Sequence, residues 1–360
     1  MTKKYILLKQ PPVSVEPLYA LLNNCSKNYK IFCVLATAVN IRLFEYLGTL
    51  KSAKELAEEL GTDPELTYNI CEVLVVLGLV AKENGSYKNT EVSNLYLKTD
   101  SDYFQHEVLK NLQNGFKLWE RLGDILKNGS LRVTEQTYFQ DNLIHSLASE
   151  ALVRELWKTI EIIAELPEFR RAERFLDLGG GHGLYSIALT RLNPELKAYI
   201  FDFPDIIKDT KTYLQRYAAE RVEVIPGNLF KDDLGNEYDF IFFSYNPGGK
   251  NPALVPKLYS SLRDGGLFIS KHAFYHKGED SKNPLLDVEW TLSAFKGVEK
   301  GSKIYSFAED LTYEEYLDLL KRYFSIEKII EANEFGGYPL FKVGDTLDSK
   351  IIIAKKKPLE

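Results

Sequence analysis

A run of glycines, Gly179-Gly-Gly-His-Gly183, stands between a short apolar segment that contains Asp177 and an amphipathic segment, residues 184–192. Glycine adopts positive φ and has no Cβ, so a glycine-rich backbone can come close to a ligand. The order of these segments predicts a strand, a glycine turn and a helix N-terminus. A second apolar run, residues 198–201, ends at Asp202, and a carboxylate in that place can accept both hydroxyls of a ribose.

A third apolar run, residues 222–226, is followed by Gly227 and Asn228. Because ligands of open α/β sheets bind at the carboxyl ends of the strands, three such ends carrying Gly, Asp and Asn favour a nucleoside site over ordinary turns. The pattern is not the Gly-x-Gly-x-x-Gly of NAD enzymes. No Gly-Lys-Ser/Thr follows the glycines, which excludes a Walker phosphate loop.

Seven predicted strands must position these residues. They alternate with helical segments from residue 174 onward, which predicts a doubly wound, mostly parallel sheet. The predicted strands are residues 174–178, 198–202, 222–226, 238–243, 266–272, 325–331 and 349–355.

The first hundred residues carry helix and hairpin signals. Ser52 and Glu55 form a capping-box pattern, Asp63 precedes Pro64 at a second helix start, and Asn84-Gly85 is a hairpin turn. Helix, turn, helix and hairpin predict a winged helix. Its recognition helix, residues 64–77, has no Lys or Arg, so pairing of two chains is favoured over DNA binding.

Composition and net charge limit the classes of protein to which the chain can belong. The chain has 360 residues and a formal net charge of −6, which argues against a nucleic-acid binder that relies on bulk charge. Cys25, Cys33 and Cys71 are predicted to be buried apolar residues in a reducing compartment. We expect a soluble, cytoplasmic protein, since there is neither a membrane-spanning apolar stretch nor a signal peptide.

Taken together, these segments resemble the S-adenosylmethionine-dependent small-molecule O-methyltransferases, the family of plant caffeate and hydroxyindole methyltransferases and bacterial antibiotic-tailoring enzymes. The resemblance is carried by residues 175–183, 200–204, 226–230 and 263–266. It implies an α/β fold, in which a Rossmann-like class I methyltransferase domain is preceded by a mainly α winged-helix dimerisation domain. The expected divisions are residues 1–100 for dimerisation, 101–170 for a helical linker that contributes to the substrate pocket, and 171–360 for the methyltransferase domain.

The resemblance also implies roles for single residues. Asp202 would hold the ribose of S-adenosylmethionine, and Gly179 and Gly181 would pass along its methionine part. Asn228 and Leu229 would lie beside the adenine. The full expected cofactor set is Asp177, Gly179, Gly181, Asp202, Phe203, Asn228, Leu229 and Ser244. The partners expected are a homodimer and a small acceptor, without nucleic acid, membrane or metal.

The family's general base is missing. Its O-methyltransferases carry a His-Asp pair after the fourth strand, whereas Phe243-Ser-Tyr-Asn-Pro-Gly-Gly-Lys250 contains neither residue. His272 and Tyr245 are the candidate replacements, because both follow strands at the acceptor edge, although a histidine that is merely hydrogen-bonded there is an equal interpretation. A carbon or sulfur acceptor that is already activated needs no base. A winged-helix regulator with a relict cofactor fold is the alternative from another class.

Three further residues are candidates for the acceptor pocket. His145 falls in the middle helices, and Trp157 and Trp290 are aromatic side chains in pocket-forming segments. For both tryptophans, packing in the core is an equally good interpretation. A small, largely apolar or aromatic acceptor, methylated at oxygen, is the expected substrate.

Overall fold

The computed structural model describes residues 10–139, 142–281, 283–331, 334 and 349–358. The chain divides into two units, Met1–His106 and Glu107–Glu360. Within the described residues, no helix is both long enough and apolar enough to cross a lipid bilayer.

The first unit is mainly helical, with one small antiparallel sheet in the order β1-β3-β2. Its elements are α1 (Glu16–Asn40), α2 (Leu43–Tyr46), β1 (Lys51–Ser52), α3 (Ala53–Leu60), α4 (Pro64–Val76), β2 (Val80–Glu83), β3 (Ser86–Asn89) and α5 (Glu91–Tyr96).

The local signals of the winged helix are confirmed. The Ser52 side chain accepts the backbone N–H of Glu55 and completes the capping box, while Asp63 accepts the N–H of Leu66 at 2.8 Å. Asn84 and Gly85 both have positive φ, 49° and 80°, as the two central residues of a tight hairpin turn require. Helices α3 and α4 followed by the β2–β3 hairpin therefore form the predicted winged helix.

Helix α1 corrects the prediction for two of the cysteines. Only Ala36, Ala38 and Val39 of this helix are buried, and Cys25 and Cys33 are exposed. The prediction that they are buried is wrong, because a 25-residue helix of this unit extends beyond the small core that covers its last turns. Cys71, on α4, is buried as predicted.

The second unit is built on a seven-stranded sheet in the order β11-β12-β9-β8-β5-β6-β7. Its strands are β5 (Arg174–Leu178), β6 (Lys197–Asp202), β7 (Val222–Pro226), β8 (Tyr238–Ser244), β9 (Leu262–Ala273), β11 (Phe324–Glu331) and β12 (Ser349–Lys356). Strands β7, β6, β5, β8 and β9 are parallel, while β12 pairs antiparallel with both β9 and β11. All seven predicted strands are confirmed.

Helices cover the sheet and precede it. They are α6 (His106–Trp119), α7 (Leu122–Asn128), α8 (Glu135–Phe139), α9 (Asn142–Val153), α10 (Glu155–Ala164), α11 (Leu184–Leu192), α12 (Pro204–Arg216), α13 (Leu254–Ser261), α14 (Pro284–Thr291) and α15 (Tyr313–Tyr323). A separate parallel pair joins β4 (Leu131–Val133) to β10 (Ser293–Phe295).

Both faces of the sheet are buried. Along β8, Phe240 and Phe242 enter one hydrophobic cluster, and Ile241 and Phe243 enter the other. This period of two with apolar residues on each side is what a parallel sheet between helical layers requires. The strand order reverses beside β5, where β6 and β8 lie on opposite sides. The carboxyl ends of β5, β6 and β8 therefore meet at a topological switch point.

Candidate active site

The glycine turn after β5 is closely packed. Gly179 has φ +63°, and a Cβ at this position would lie 2.1 Å from Asn246 Nδ2, in the loop after β8. Gly183, with φ +71°, begins α11, and a Cβ there would meet Ile200 Cδ1 at 2.5 Å. Glycine is therefore required at both positions by backbone conformation and by space.

Asp202 ends β6 and is tied to the turn. Its Oδ2 accepts the backbone N–H of Gly181 at 2.9 Å, and its Oδ1 accepts that of Phe203 at 2.7 Å. Burial raises the pKa of Asp202 to about 6, although these two hydrogen bonds act in the opposite direction. Each carboxylate oxygen keeps a further lone pair, so the group remains able to accept ribose hydroxyls.

Asp177 lies on β5 below the glycine turn and is 2% exposed. Its Oδ2 accepts a hydrogen bond from Ser186 Oγ at 2.8 Å. Burial, with a contribution from the nearby Asp202, raises the pKa of Asp177 to about 7, although the hydrogen bond from Ser186 acts in the opposite direction. A pair of neighbouring buried carboxyls suits a ligand that carries positive charge, because such a ligand compensates the cost of burying them.

Strand register brings the remaining cofactor candidates to the same edge. Phe203 follows Asp202 and caps α12, and Asn228 follows β7, where its Oδ1 accepts the N–H of Phe230 at 2.9 Å. Leu229 is buried, and Ser244 is the last residue of β8. Their contacts with a cofactor remain predictions, but the sheet gathers all of them at the ends of adjacent parallel strands.

Sequence reasoning missed Glu135, the first residue of α8. Burial raises the pKa of Glu135 to about 7, and Asp202 contributes, so the two carboxyls are electrostatic neighbours. Helix α8 packs on α12, which begins two residues after Asp202. No motif marks Glu135, since its burial depends on packing between segments distant in sequence.

His272 lies near the end of β9 and is 1% exposed. Its ring meets that of Phe243 edge-on at 5.0 Å, and its Nε2 is buried without a hydrogen-bond partner among the described residues. Burial, together with the charges of Lys250 and Lys271, holds the pKa of His272 well below its usual value. The imidazole is therefore neutral, but its burial argues against direct contact with an acceptor, and its catalytic role remains a prediction.

Tyr245 is the first residue after β8 and has φ +47°. Its backbone N–H donates to the carbonyl of Lys271 at 2.8 Å, and its hydroxyl donates to Glu155 Oε1 at 3.4 Å. Burial raises the pKa of Tyr245 above its ordinary value. The phenol therefore stays protonated and acts as a donor toward Glu155.

The three predicted pocket residues are in different surroundings. His145, on α9, has Nδ1 2.8 Å from the Tyr213 hydroxyl and Nε2 3.8 Å from Asp209, so it contacts α12. Trp290 is 1% exposed, and its Nε1 donates to the carbonyl of Gly301, as a packed core residue does. Trp157 is 65% exposed on α10, so the interpretation of it as core is wrong. Their contact with an acceptor is still a prediction.

Among the residues that the structure describes, no group of three or more His, Cys, Asp or Glu side chains is placed to hold a metal ion.

Comparison with known proteins agrees with this geometry. Residues 137–285 match the O-methyltransferase domain family, and residues 24–99 match the O-methyltransferase dimerisation domain family. An uncharacterised protein of Methanocaldococcus jannaschii is 38% identical, over 98% of this chain and 100% of its own length. Human acetylserotonin O-methyltransferase is 24% identical, over 78% of this chain and 87% of its own. The L-tyrosine C(3)-methyltransferase of Streptomyces lavendulae is 24% identical, over 85% and 86% of the two chains.

The fold is shared with solved structures. The crystal structure of human N-acetylserotonin methyltransferase in complex with S-adenosylmethionine aligns with a TM-score of 0.68 at 20% identity, covering 97% of this chain and 100% of the human chain. The glycine turn and the paired acids thus agree with the two domain matches. The chain is a member of the S-adenosylmethionine-dependent O-methyltransferase family.

Proposed function

We propose that the chain methylates a hydroxyl group of a small aromatic acceptor. One observation carries the proposal: a wall of aromatic side chains lies beside the loop after β8, where a Cβ at Gly248 would be 2.8 Å from Phe307 Cδ2. Aromatic walls favour flat acceptors because they bury large apolar areas. Trp290, Phe295 and Phe307 form the buried core of this wall, and the partly buried Tyr138, Phe139 and Tyr305 are the members that an acceptor would contact.

The residues of the glycine turn fit the cofactor. Asp202 would accept the ribose hydroxyls, Asp177 would face the cationic methionine part, and the backbone at Gly179 and Gly181 would pass beside it. When bound, S-adenosylmethionine supplies an electrophilic methyl group on a positively charged sulfur. The protein's own contribution is to orient the acceptor, exclude water and remove a proton.

A carbon acceptor is the second candidate. The relative from Streptomyces lavendulae is named for methylation of a tyrosine ring carbon, and the sequence here has no His-Asp pair after β8. An electron-rich ring carbon attacks without a general base, and water takes the proton that the ring then loses, so the missing pair favours this reaction. The hydroxyl reaction is preferred because the family match is to O-methyltransferases.

We further propose that the chain acts as a homodimer. The chain leaves five apolar side chains in and just after α1 unburied, Leu21, Phe32, Val34, Leu35 and Ile41, and Leu21 is 60% exposed. We propose that they pair two chains. An apolar surface that the rest of the unit leaves uncovered is typical of an interface. Its helix lies largely within the segment that matches the dimerisation family.

The test is transfer of tritium from methyl-labelled S-adenosylmethionine to acetylserotonin, L-tyrosine and simple phenols. We expect labelled methyl ethers, identified by NMR of the products. An Asp202→Ala protein serves as the negative control, since it lacks the ribose acceptor. Labelling of a ring carbon without any ether would contradict the hydroxyl assignment and leave the carbon reaction in its place.

A further inference from the structure

A buried lysine near the end of β9 is the centre of a polar network. Lys271, on β9, is 0% exposed. Its Nζ lies 2.6 Å from Glu155 Oε2 and donates to Thr159 Oγ1 at 3.1 Å and to the Tyr185 hydroxyl at 3.0 Å. A buried ammonium group is tolerated only when it is paired and hydrogen-bonded, and Glu155 supplies the counter-charge.

Glu155 is shared between this lysine and Tyr245. One carboxylate oxygen contacts Lys271, while the other accepts the Tyr245 hydroxyl at 3.4 Å. The Glu155 side chain is 21% exposed, so water reaches it although Lys271 beside it is sealed. Lys271 therefore holds the Glu155 carboxylate in place, while water still has access to it.

Tyr245 is held in a conformation that its residue type disfavours. A non-glycine residue with positive φ costs about 1–3 kcal/mol and persists where the surroundings enforce it. Here the enforcing contacts are the hydrogen bond to the Lys271 carbonyl and the packing of the ring 5.1 Å from Lys271 Nζ. The Tyr245 hydroxyl reaches Glu155 from the residue directly after β8, where the family resemblance would place the His-Asp pair.

We propose that Tyr245 and Glu155 form a proton relay that replaces the missing His-Asp base, with Lys271 as the residue that positions Glu155. The inference rests on the proposed methylation of a hydroxyl group. Tyr245 is the group that touches the acceptor hydroxyl, and Glu155 receives the proton from Tyr245.

Methyl transfer breaks one bond, forms another and releases one proton. The acceptor oxygen forms a bond to the methyl carbon, and the carbon–sulfur bond breaks with its electron pair left on sulfur. As the oxygen donates its electrons, the hydroxyl proton becomes strongly acidic and passes to the Tyr245 oxygen. At the same time the Tyr245 proton passes to Glu155 Oε1, and water removes it from there.

The relay explains how a phenol with a raised pKa serves as a base. Burial raises the pKa of Tyr245, so a free tyrosinate would be costly. A concerted relay never forms it, because Tyr245 gives up one proton as it gains another. The titratable and charged groups facing the relay are Lys271 from β9, Tyr185 from α11, Glu150 from α9, Arg154 beside α10, and Tyr305.

Two phenols used as methyl acceptors distinguish a role of Tyr245 and Glu155 in proton removal from a structural role. 4-Methylphenol keeps its proton at about pH 8, since an ordinary phenol has a pKa of about 10, whereas 4-nitrophenol is largely ionised. We expect Glu155→Gln and Tyr245→Phe each to lower kcat for 4-methylphenol about 100-fold or more. With 4-nitrophenol, kcat should stay close to that of the wild type, and the loss with 4-methylphenol should shrink as the pH rises.

The matched controls lie away from the carboxyl ends of the parallel strands. Glu168 also pairs with a lysine, Lys355, at 2.8 Å, and the Tyr259 hydroxyl donates to the carbonyl of Lys357. Glu168→Gln and Tyr259→Phe should leave both rates unchanged. Calorimetry with S-adenosylhomocysteine should show unchanged cofactor binding in all four variants.

A second measurement needs no turnover. In the complex with S-adenosylhomocysteine, the absorbance of bound 4-nitrophenol reports the pH at which it ionises. Glu155→Gln leaves the Lys271 ammonium without its carboxylate, so the midpoint should fall by about one pH unit or more. A midpoint that does not move would place Glu155 away from the acceptor oxygen and overturn the relay.

Other outcomes are equally decisive. An equal loss with both phenols would show that the two residues only maintain structure, and an unchanged rate with 4-methylphenol would show that no relay exists. If the wild-type protein binds the cofactor but methylates neither phenol, the proposed acceptor class fails and the relay with it. In that case the unchanged calorimetry would still support the cofactor site.

Discussion

Asp202 Oδ2 accepts the backbone N–H of Gly181 at 2.9 Å and so joins the end of β6 to the glycine turn after β5. The same carboxylate holds the N–H of Phe203 through its other oxygen. Asp202 therefore shapes the turn as well as presenting acceptors to a ribose. This double role predicts that its loss affects binding more than the loss of an ordinary ligand contact would.

Asp202→Ala should weaken S-adenosylmethionine binding by about 2 kcal/mol or more, roughly 30-fold in Kd, because hydrogen bonds to a charged group are lost. Isothermal titration calorimetry measures the change. The control is Asp205→Ala, on the first turn of α12, where the carboxylate pairs with Lys208. Equal affinity of the Asp202 and Asp205 variants would remove Asp202 from the cofactor site.

Gly179→Ala should destabilise the protein far more than Gly278→Ala. Both glycines have positive φ, +63° and +73°, so both variants carry the backbone strain of an alanine there, about 1–2 kcal/mol. Only Gly179 is confined, since its new Cβ would meet Asn246 at 2.1 Å, whereas nothing lies within 4 Å of Gly278. Overpacking adds about 1–3 kcal/mol to the loss in the free energy of unfolding, measured with urea. Equal losses would mean that Asn246 moves aside freely.

Local signals predicted much of the fold. Strands β5 and β7 begin and end at the predicted residues, because each is a short apolar run bounded by charged residues, glycine or proline. The capping box at Ser52 and the Asn84-Gly85 turn depend only on neighbours in sequence, and both were predictable for that reason. The expected edge of Gly, Asp and Asn followed from the parallel order of the strands.

The relay could not be read from the sequence. Lys271 contacts Thr159 and Glu155, both on α10, and Thr159 is 112 positions before it in the sequence. Only the packing of α10 against the end of β9 brings these residues together. The burial of Glu135 and the exposure of Cys25 and Cys33 likewise depend on how whole helices pack. Residue type and spacing in the sequence do not indicate such contacts.

Leu21→Asp should convert a dimer into monomers at micromolar concentration, measured by light scattering. Leu21 is 60% exposed on α1, and a carboxylate buried in an apolar interface without a partner costs several kcal/mol. Leu126→Asp is the control, because Leu126 is 77% exposed on α7 in the second unit. A wild-type monomer, or a dimer that survives Leu21→Asp, would contradict the assignment of this surface.

Asp177 should make the cofactor-free protein less stable as the pH rises. Burial raises the pKa of Asp177 from an ordinary value of 3.8 to about 7, so the folded protein holds this proton more tightly than the unfolded chain does. The resulting stabilisation is complete below about pH 4 and is lost as the pH rises to about 7.

Asp177→Asn cannot ionise and should therefore gain stability relative to the wild type across that range, by up to about 1.4 kcal/mol per pH unit. Urea unfolding of cofactor-free protein at about pH 4, 6 and 8 measures the difference. Asn keeps an oxygen that accepts the hydrogen bond from Ser186 Oγ, so the comparison isolates the charge. Asp205→Asn, which removes a carboxylate paired with Lys208 on α12, is measured beside it as the control. If Asp177→Asn runs parallel to the wild type at all three pH values, the buried carboxyl is already compensated within the protein.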